Sequence, residues 1–255
     1  MLCATPLSLN YTLVLLHVEN PADSRDEVEA SMATTEEAAE EYQAKTERIF
    51  LKGEPAPAIQ AYLLETNADT LFCSSRMRKR FFDDSLSEKL TRLPLAADLA
   101  VVRVTHVDAA FRTENILLPL KEDRLSVKKF IFLSAVAKAL GAGTEIYSIS
   151  LAGNRRLADQ DMGTTKALFQ KINVRLAHYV KGFKLMDVPL RIKHALAENE
   201  VDQILHHLAH QEFQLMIIGG RRLSVFSMLF KENPLVRLFR YTPVNTIAFY
   251  AREEE

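Results

Sequence analysis

The sequence predicts an α/β protein built from two parallel-sheet domains in tandem. Short, almost wholly apolar segments of strand length recur along the chain, as is typical of strands that are covered on both faces of a parallel sheet. Segments of helix length separate them, and this alternation favours a parallel sheet with right-handed crossovers. The same order of elements runs twice, completely from Asn115 to Ala251 and incompletely from Tyr11 to Val104.

The first half, residues 1–108, is predicted to be a truncated domain. Its predicted strands are Tyr11–Val18, Ile49–Leu51, Thr70–Cys73 and Leu99–Val104, and its predicted helices are Thr35–Arg48, Pro57–Thr66 and Ser85–Leu93. Acidic residues in the first turn of the first helix suit the helix dipole. A polar linker, residues 106–114, then leads to the second half.

The second half, residues 109–255, is predicted to be complete. Its predicted strands are Ile116–Leu120, Glu145–Ile149, Val188–Ile192, Leu215–Ile218 and Thr246–Ala251. Its predicted helices are Val127–Leu140, Thr164–Tyr179, Asn199–His210 and one that begins at Pro234. Ser126 is placed to cap the first of these helices, and Gly141 and Gly143 are expected to end it in positive-φ conformations.

The first half therefore lacks the opening strand and helix that the second half has at Ile116–Leu140. In a sheet of this kind the first strand lies in the middle, so its absence leaves two central strands without a neighbour. Three explanations remain open: Met1–Leu9 partly substitutes, a partner supplies the strand, or the chain is cut from a longer one.

Composition limits the classes of function. The chain has 255 residues, 25% of them charged, and a formal net charge of -1. Its net charge therefore does not favour binding to nucleic acid or to an anionic membrane. Cys3 and Cys73 are the only cysteines, which suggests reduced thiols and a cytosolic location rather than a disulfide framework. No apolar run approaches the roughly 20 residues that span a bilayer.

The segment from Phe213 to Ala251 shows where a ligand is expected. A buried strand ends there in Gly219 and Gly220, followed by Arg221 and Arg222. Glycines allow a bare backbone to approach a ligand closely, and ligands of open parallel sheets bind beyond the carboxyl ends of the strands.

Several stretches, taken as an ordered set that occurs twice, resemble a tandem universal stress protein. They are the opening strand Ile116–Leu120, the second strand Tyr11–Val18, the fourth strands that follow Ala68 and begin at Leu215, and Arg240–Pro243 before the last strand. The resemblance covers nearly the whole chain. It implies a flavodoxin-like (Rossmann-like) sheet and a dimer formed through the last strand, which is an edge strand of such a sheet. It also implies ATP bound by a Gly-x-x-Gly loop with a later Gly-(Ser/Thr) pair, and an acidic residue after the first strand.

The second copy keeps the spacing of this loop but little of its chemistry. Gly219 is retained, Arg222 replaces the second glycine, and Glu232 and Asn233 replace the last pair. A carboxylate about 4 Å from a phosphate costs on the order of 1 kcal/mol even in water, although Arg221 and Arg222 suit phosphate. The remaining candidate site residues are Gly220 beside the loop, Pro119 in the opening strand, and Lys121 at the position where the family has its acidic residue.

The first copy departs further from the family pattern. Its corresponding residues are Ser74, Ser75, Arg76, Met77, Asp84 and Ser85. All three glycines are replaced, and Asp84 brings a negative charge to the phosphate position. We therefore expect no ATP in the first copy, and no ATP bound in the family's manner in the second.

The function predicted from these features is non-enzymatic sensing or scaffolding, with no cofactor and no metal. One alternative is a cytosolic regulatory tail of a membrane transporter, in which case the transporter's membrane domain is the partner. Another is a stress protein that binds ATP or another adenine nucleotide at Gly219–Arg222, with weak ATP hydrolysis. The expected partners are a second copy or another protein, with Leu99–Val104 and Thr246–Ala251 as docking strands between the copies or between chains.

Other motifs favour ordinary structural roles. The basic cluster Arg76–Arg80 is interpreted as a solvated loop that Asp83 and Asp84 balance, with a phosphate, nucleic-acid or lipid-headgroup contact as the alternative. His206 and His210 lie one helical turn apart but have no third ligand nearby in the sequence. Cys73 is expected to be a small buried hydrophobe.

Overall fold

The computed structural model describes residues 11–75, 85–107, 112–121, 125–152, 161–219 and 234–252. The strands in these ranges are β1 (Thr12–Val18), β2 (Lys45–Leu51), β3 (Thr70–Ser74), β4 (Asp98–Arg103), β5 (Asn115–Lys121), β6 (Gly143–Leu151), β7 (Leu190–Ala197), β8 (Leu215–Gly219) and β9 (Asn245–Tyr250). The helices are α1 (Arg25–Glu40), α2 (Pro55–Glu65), α3 (Leu86–Arg92), α4 (Val127–Leu140), α5 (Met162–Leu185), α6 (Glu200–His210) and α7 (Pro234–Tyr241).

The strands form a seven-stranded sheet in the order β3-β4-β9-β8-β5-β6-β7 and a separate pair, β1-β2. All pairings are parallel except the antiparallel pairing of β4 with β9. In the second half the first strand, β5, lies in the middle, between β6 and β8. Numbered within that half, the order is 3-2-1-4-5, which is the order of a Rossmann-like doubly wound sheet, so the predicted α/β parallel-sheet fold class is confirmed.

The ladder between β4 and β9 joins the two halves of the chain. It runs from the pair Leu99–Tyr250 to the pair Arg103–Thr246. The two last strands thus dock between copies within one chain, which is one of the two predicted outcomes. Since β4 also pairs with β3 and β9 also pairs with β8, neither strand has a free edge for a second chain, and a dimer would use other edges.

The first half has a divided sheet, as its missing opening strand predicts. Among the described residues β1 pairs only with β2, and β3 pairs only with β4. In the second half β5 fills the equivalent place, and its residues Ile116–Leu120 are buried. Without such a strand, Leu13 of β1 remains 39% exposed and Phe72 of β3 remains 57% exposed.

The first helix begins and ends earlier than predicted. The predicted helix Thr35–Arg48 is α1, Arg25–Glu40. Ser24 is its N-cap, and Asp26 and Glu27 in its first turn suit the helix dipole. Gln43, with a φ of 55°, then reverses the chain. Strand β2 consequently begins at Lys45 rather than Ile49, and it pairs along the full length of β1.

Several boundaries in the second half also differ from the prediction. Helix α5 continues to Leu185, where the prediction ended it at Tyr179. Asp187, with a φ of 56°, turns the chain after the helix. Strand β7 therefore occupies Leu190–Ala197 instead of Val188–Ile192, and all of it pairs with β6. Gly141 caps α4 with a φ of 62°, as predicted, whereas Gly143 begins β6 and does not cap the helix.

Two apolar clusters cover the two faces of the large sheet. One contains side chains of α4 and α5 against alternate residues of β5, such as Ile116, Leu118 and Leu120. The other contains Leu117 and joins residues of both halves, including Leu63 of α2 and Ile204 of α6. The halves therefore share a core as well as a sheet. None of the described helices combines the length and the apolar character that crossing a membrane needs.

Candidate functional site

The pairing between β5 and β8 stops before the carboxyl ends of these strands, and we call the place beyond the last pair the crevice. The ladder between these strands contains only the pairs Ile116–Leu215 and Leu117–Met216, whereas β5 stays paired with β6 as far as Lys121. Pro119 lies beyond the last of the β5–β8 pairs and has no N–H to donate to a neighbouring strand. The strand order also reverses at β5, and such switch points are where ligands of open α/β sheets bind.

Lys129 projects from the first turn of α4 at this crevice. Ser126 caps the helix, since its hydroxyl accepts a hydrogen bond of 3.2 Å from the Lys129 backbone N–H. Lys129 precedes Leu133 by one helical turn, and Leu133 in turn precedes Ala137, so the three share a face. That face packs on the sheet, and Lys129 is only 8% exposed.

The Lys129 side chain fills the space in front of Gly219, the last residue of β8. A Cβ atom added to Gly219 would lie 2.8 Å from Lys129 Nζ, 2.9 Å from Cδ and 3.0 Å from Cε. Real Cβ atoms do not approach heavy atoms this closely, so a side chain at Gly219 would require the end of the flexible Lys129 side chain to shift. The lysine side chain and the glycine thus lie in close contact at the carboxyl edge of the sheet.

Burial shifts the pKa values of two charged residues at this edge of the sheet, Lys129 and Glu200. Desolvation lowers the pKa of Lys129 from 10.5 to about 8, and the carboxylate of Glu200, in the first turn of α6, opposes that shift. Burial raises the pKa of Glu200, while Lys121 and Lys129 act to lower it. Two lysines therefore share one half-buried carboxylate at the carboxyl edge of β5.

The structure describes three of the predicted site residues of the second copy. Gly219 ends β8, Pro119 is buried within β5 opposite Tyr147, and Lys121 is exposed at the end of β5. The other predicted residues, Gly220, Arg221, Arg222, Glu232 and Asn233, lie outside the described residues. The three described residues border the crevice, and their roles in binding stay predictions.

Three predicted residues of the first copy are also described. Ser74 ends β3, and the N–H of Ser75 donates to the carbonyl of Val102 at 2.8 Å. Ser85 caps α3, because its hydroxyl accepts from the N–H of Glu88 at 3.3 Å. The hydroxyl oxygen of Ser85 is thus already engaged as the acceptor of a helix-capping hydrogen bond. Arg76, Met77 and Asp84 lie outside the described residues, as do Arg78, Lys79 and Arg80 of the basic cluster.

The first half has a concavity of about 340 Å³ at the carboxyl ends of β1 and β2. Its charged groups largely pair with one another. Arg25 Nε lies 2.8 Å from a carboxylate oxygen of Glu29, and His17 Nε2 lies 3.4 Å from Asp23. The Arg25 guanidinium also stacks over Phe50 at 4.9 Å. This concavity is therefore a weaker candidate for binding a charged ligand than the crevice at Lys129.

The histidine pair and Cys73 are weak candidates for a metal site or a reactive thiol. His206 and His210 lie with their rings 4.2 Å apart, and the described residues contain no cluster of three or more metal-ligating side chains. Burial raises the pKa of the Cys73 thiol to about 11, which disfavours the reactive thiolate.

Lys129 was not among the residues predicted from the sequence. A signal was present, because Lys129 stands on the apolar stripe of α4 that continues with Leu133 and Ala137. A lysine on such a stripe is unusual, since lysines are almost never fully buried unless paired. The sequence alone could not show that its end lies against Gly219, a residue 90 positions later.

The fold resembles those of proteins with solved structures. No protein-family model matches the sequence, and no curated protein matches it either. A universal stress protein from Archaeoglobus fulgidus superposes with a TM-score of 0.61 at 17% identity, covering 95% of this chain and 88% of its own. The cytoplasmic domain of a prokaryotic cation chloride cotransporter does so with a TM-score of 0.61 at 10% identity, covering 96% of this chain and 86% of its own.

These likenesses bear on the fold. Both solved structures cover almost the whole chain, including its two halves. The predicted resemblance to universal stress proteins is thereby confirmed at the level of the fold. The same fold also occurs as the cytoplasmic domain of a transporter.

Proposed function

We propose that the chain is a non-enzymatic regulatory module that acts by binding a ligand or a protein partner. The main observation in support of this proposal is the divided sheet of the first half. A nucleotide crevice of this fold needs the central strand, and the described residues of the first half place none between β1 and β3. The first copy then serves as a docking unit rather than as a nucleotide site.

The free strand edges of the first half support the docking role. Beyond their single pairings, β1 and β3 carry backbone groups without a ladder partner among the described residues. An unpaired strand edge is a template for pairing with another chain. Phe72 and Leu13, both exposed, would supply apolar contacts to such a partner. A second copy of the chain is one candidate partner, and an unrelated protein is the other.

The shared sheet and core support a regulatory role. Because β4 pairs with β9, a partner that docks on the first half acts on a sheet continuous with the second half. The crevice at Gly219 belongs to that second half, so a ligand there and a partner on the first half are connected through one continuous sheet.

Native mass spectrometry tests this function on protein purified without added nucleotide. The protein is then titrated with ATP, ADP, AMP and cyclic dinucleotides, and phosphate release from ATP is measured in parallel. We expect a defined oligomeric mass, no saturable ATP binding at tens of micromolar, and no phosphate release. Saturable ATP binding would instead identify a nucleotide sensor that uses Gly219, Gly220 and the two following arginines, and ATP turnover would identify an ATPase.

A second candidate is the cytosolic regulatory domain of a membrane transporter. The observation that favours it is the superposition on the cytoplasmic domain of a cation chloride cotransporter over 96% of this chain. The measurement is the mass and fractionation of the native polypeptide in its source cells, detected with an antibody against this chain. A membrane-bound polypeptide well above 28.9 kDa would support this candidate, and a 28.9 kDa polypeptide outside the membrane fraction would exclude it.

A further inference from the structure

Helices α1 and α5 occupy the same place in the two halves of the chain. The first half lacks its opening strand, so β1 corresponds to β6 and β2 corresponds to β7. Helix α1 connects β1 to β2, and α5 connects β6 to β7. Both strand pairs are parallel, so each helix is the crossover of a βαβ unit. Equivalent position does not bring equivalent chemistry here, because the two helices differ in charge.

The charges of the two helices are opposite in sign. Helix α5, Met162–Leu185, contains five lysines and arginines and no aspartate or glutamate. Helix α1, Arg25–Glu40, contains six aspartates and glutamates and one arginine. Residues 153–160, which precede α5 and lie outside the described residues, contain two arginines and one aspartate, and residues 1–10 contain no charged side chain. These adjoining segments therefore do not reverse the sign of either helix.

The basic residues of α5 flank exposed apolar side chains. Lys171, Lys181 and Lys184 are exposed, and between and beside them Val174 is 75% exposed and Leu185 is 88% exposed. The opposite side of the helix packs into the apolar cluster on the sheet. A solvated face needs no large apolar residues, whereas a face that docks on an acidic partner uses both features.

Helix α1 presents a complementary surface. Arg25 pairs with Glu29, and Arg48 of β2 pairs with Glu36. The other acidic residues of this helix are exposed, and they are Asp26, Glu27, Glu37 and Glu40. Ala30 lies between them and is also exposed. A small residue at that position leaves room for a larger apolar side chain of a facing helix.

The charges on the two helices also match in spacing. The interval from Glu27 to Glu40 equals the interval from Lys171 to Lys184. It corresponds to about 20 Å of helix at about 1.5 Å per residue. In a parallel or an antiparallel pair alike, both carboxylates can therefore face both ammonium groups at the same time.

The two helices belong to opposite ends of one chain. Helix α5 packs on β7, which is one outer strand of the large sheet, and β3 is the other. Helix α1 packs on β1 and β2, and β1 contacts α2, which shares a core with Leu71 of β3. At about 4.8 Å between neighbouring strands, β3 and β7 lie about 29 Å apart. Pairing of α1 with α5 therefore requires two copies of the chain.

We propose that two copies of the chain associate through these helices, with α1 of each protomer packed on α5 of its partner. A two-fold axis forms both contacts at once and closes the assembly as a dimer. This interface uses exposed helix faces and not the strand edges of β1 and β3. It therefore goes beyond the proposed function and does not depend on it.

The test is sedimentation equilibrium of the full chain and of two charge-reversed variants. One variant combines Lys171→Glu with Lys184→Glu, and the other combines Glu27→Lys with Glu40→Lys. We expect the wild type to dimerise and each variant to associate at least about tenfold more weakly, because like charges then face each other in both contacts. Sodium chloride should weaken the wild-type dimer, since it screens exposed charges.

The matched control combines Lys52→Glu with Lys138→Glu. Both lysines are exposed and lie outside the two helices, so the change in net charge equals that of the first variant while the proposed interface stays intact. This control should dimerise like the wild type. Circular dichroism of all the variants checks that they fold.

A mixture of the two charge-reversed variants provides the sharpest measurement. In the mixture an acidic α5 meets a basic α1, and a basic α5 meets an acidic α1, so both contacts become attractive again. Native mass spectrometry, with one variant labelled with ¹⁵N, should detect a mixed dimer. Recovery of this dimer would also show that both variants keep the native fold, and its absence would overturn the inference.

Other outcomes would contradict the proposal as well. One is a wild-type chain that stays monomeric at low ionic strength, and another is a dimer that neither salt nor charge reversal weakens. A monomer that binds vesicles of phosphatidylcholine and phosphatidylserine through Lys171 and Lys184 would assign the α5 face to a membrane surface instead. None of these results alters the ATP titration or partner docking at β1 and β3, so the two proposals can fail separately.

Discussion

Val101 of β4 lies directly opposite Ala248 of β9 in the antiparallel ladder that joins the two halves of the chain. Val101 is 5% exposed and Ala248 is fully buried. Both belong to the apolar cluster that also contains Leu63 and Ile204, from opposite halves. The halves are therefore held together by backbone pairing and by a common core, independently of the segment that connects them.

We expect the two halves to remain associated after the connection between them is cut. A site for a specific protease placed within residues 108–111 would yield two pieces, and these should co-elute on size exclusion. Ala248→Asp should separate or unfold them, because it places a carboxylate at a fully buried position of the ladder.

Ala139→Asp is the control, since Ala139 is exposed on α4. Cleaved pieces that elute separately without any substitution would show that the ladder does not hold the halves together.

Gly182→Ala should destabilise the protein although alanine favours helices. The added Cβ would lie 2.5 Å from Phe130 Cζ. The Phe130 ring cannot yield easily, because Tyr179 and Phe183 pack on it with ring centroids 5.1 Å away. Overpacking costs about 1–3 kcal/mol, which exceeds the roughly 0.5–1 kcal/mol gained by replacing a helical glycine. Urea unfolding measures the net loss.

The control is to introduce Gly182→Ala into a Phe130→Leu variant and to compare it with Phe130→Leu alone. Phe130→Leu removes the ring that the new Cβ would meet, so Gly182→Ala should be neutral or stabilising there. An equal destabilisation in both backgrounds would place the cause elsewhere than in Phe130.

Glu145→Ala should be among the most destabilising substitutions in the second half. The Glu145 carboxylate is 2% exposed, with Oε1 at 2.6 Å from His207 Nε2 and Oε2 at 3.4 Å from Lys193 Nζ. The His207 ring in turn stacks on Tyr147 at 4.0 Å. Removing the carboxylate leaves the buried His207 ring without its hydrogen-bond partner, and an unsatisfied buried polar group costs about 1–3 kcal/mol.

Chemical unfolding measures this loss against Glu212→Ala. Glu212 is exposed, so its removal should change the free energy of unfolding by less than about 0.5 kcal/mol. Similar values for the two variants would mean that the Glu145 network contributes little to stability.

The stability difference between Lys129→Met and the wild type should depend on pH. The folded pKa of Lys129, about 8, lies below its ordinary value of 10.5. The unfolded chain therefore binds more protons between these values, and the wild type gains stability as the pH rises through this range. The penalty, on the order of 3 kcal/mol, is fully present below about pH 8 and is lifted above about pH 10.5.

Urea unfolding at about pH 7 and about pH 10 measures this difference. The advantage of Lys129→Met should be largest at the lower pH and should shrink at the higher one. Other groups titrate in both proteins and cancel in the comparison. Lys138→Met should show a small difference that does not change with pH, and a constant advantage of Lys129→Met would refute the buried-charge explanation.

The sequence by itself determined the fold class and most of the elements. Buried parallel strands are apolar throughout, and local signals such as Ser126 and Gly141 fix helix ends through backbone hydrogen bonds and φ preferences. The repeated order of elements also revealed that the first half lacks its opening strand. Boundaries such as the start of β2 at Lys45 escaped prediction, because Lys45–Arg48 are polar or charged and become strand only through pairing with β1.

Only the tertiary structure decided what distant residues do together. The sequence left open whether the last strands pair within or between chains, and the ladder between β4 and β9 places that pairing within one chain. The sequence pointed to the glycines near Gly219 as candidate site residues but not to Lys129. The contact of that lysine with β8 depends on how α4 packs over the sheet. Sequence patterns report local conformation and burial, whereas sites arise where elements far apart in the chain converge.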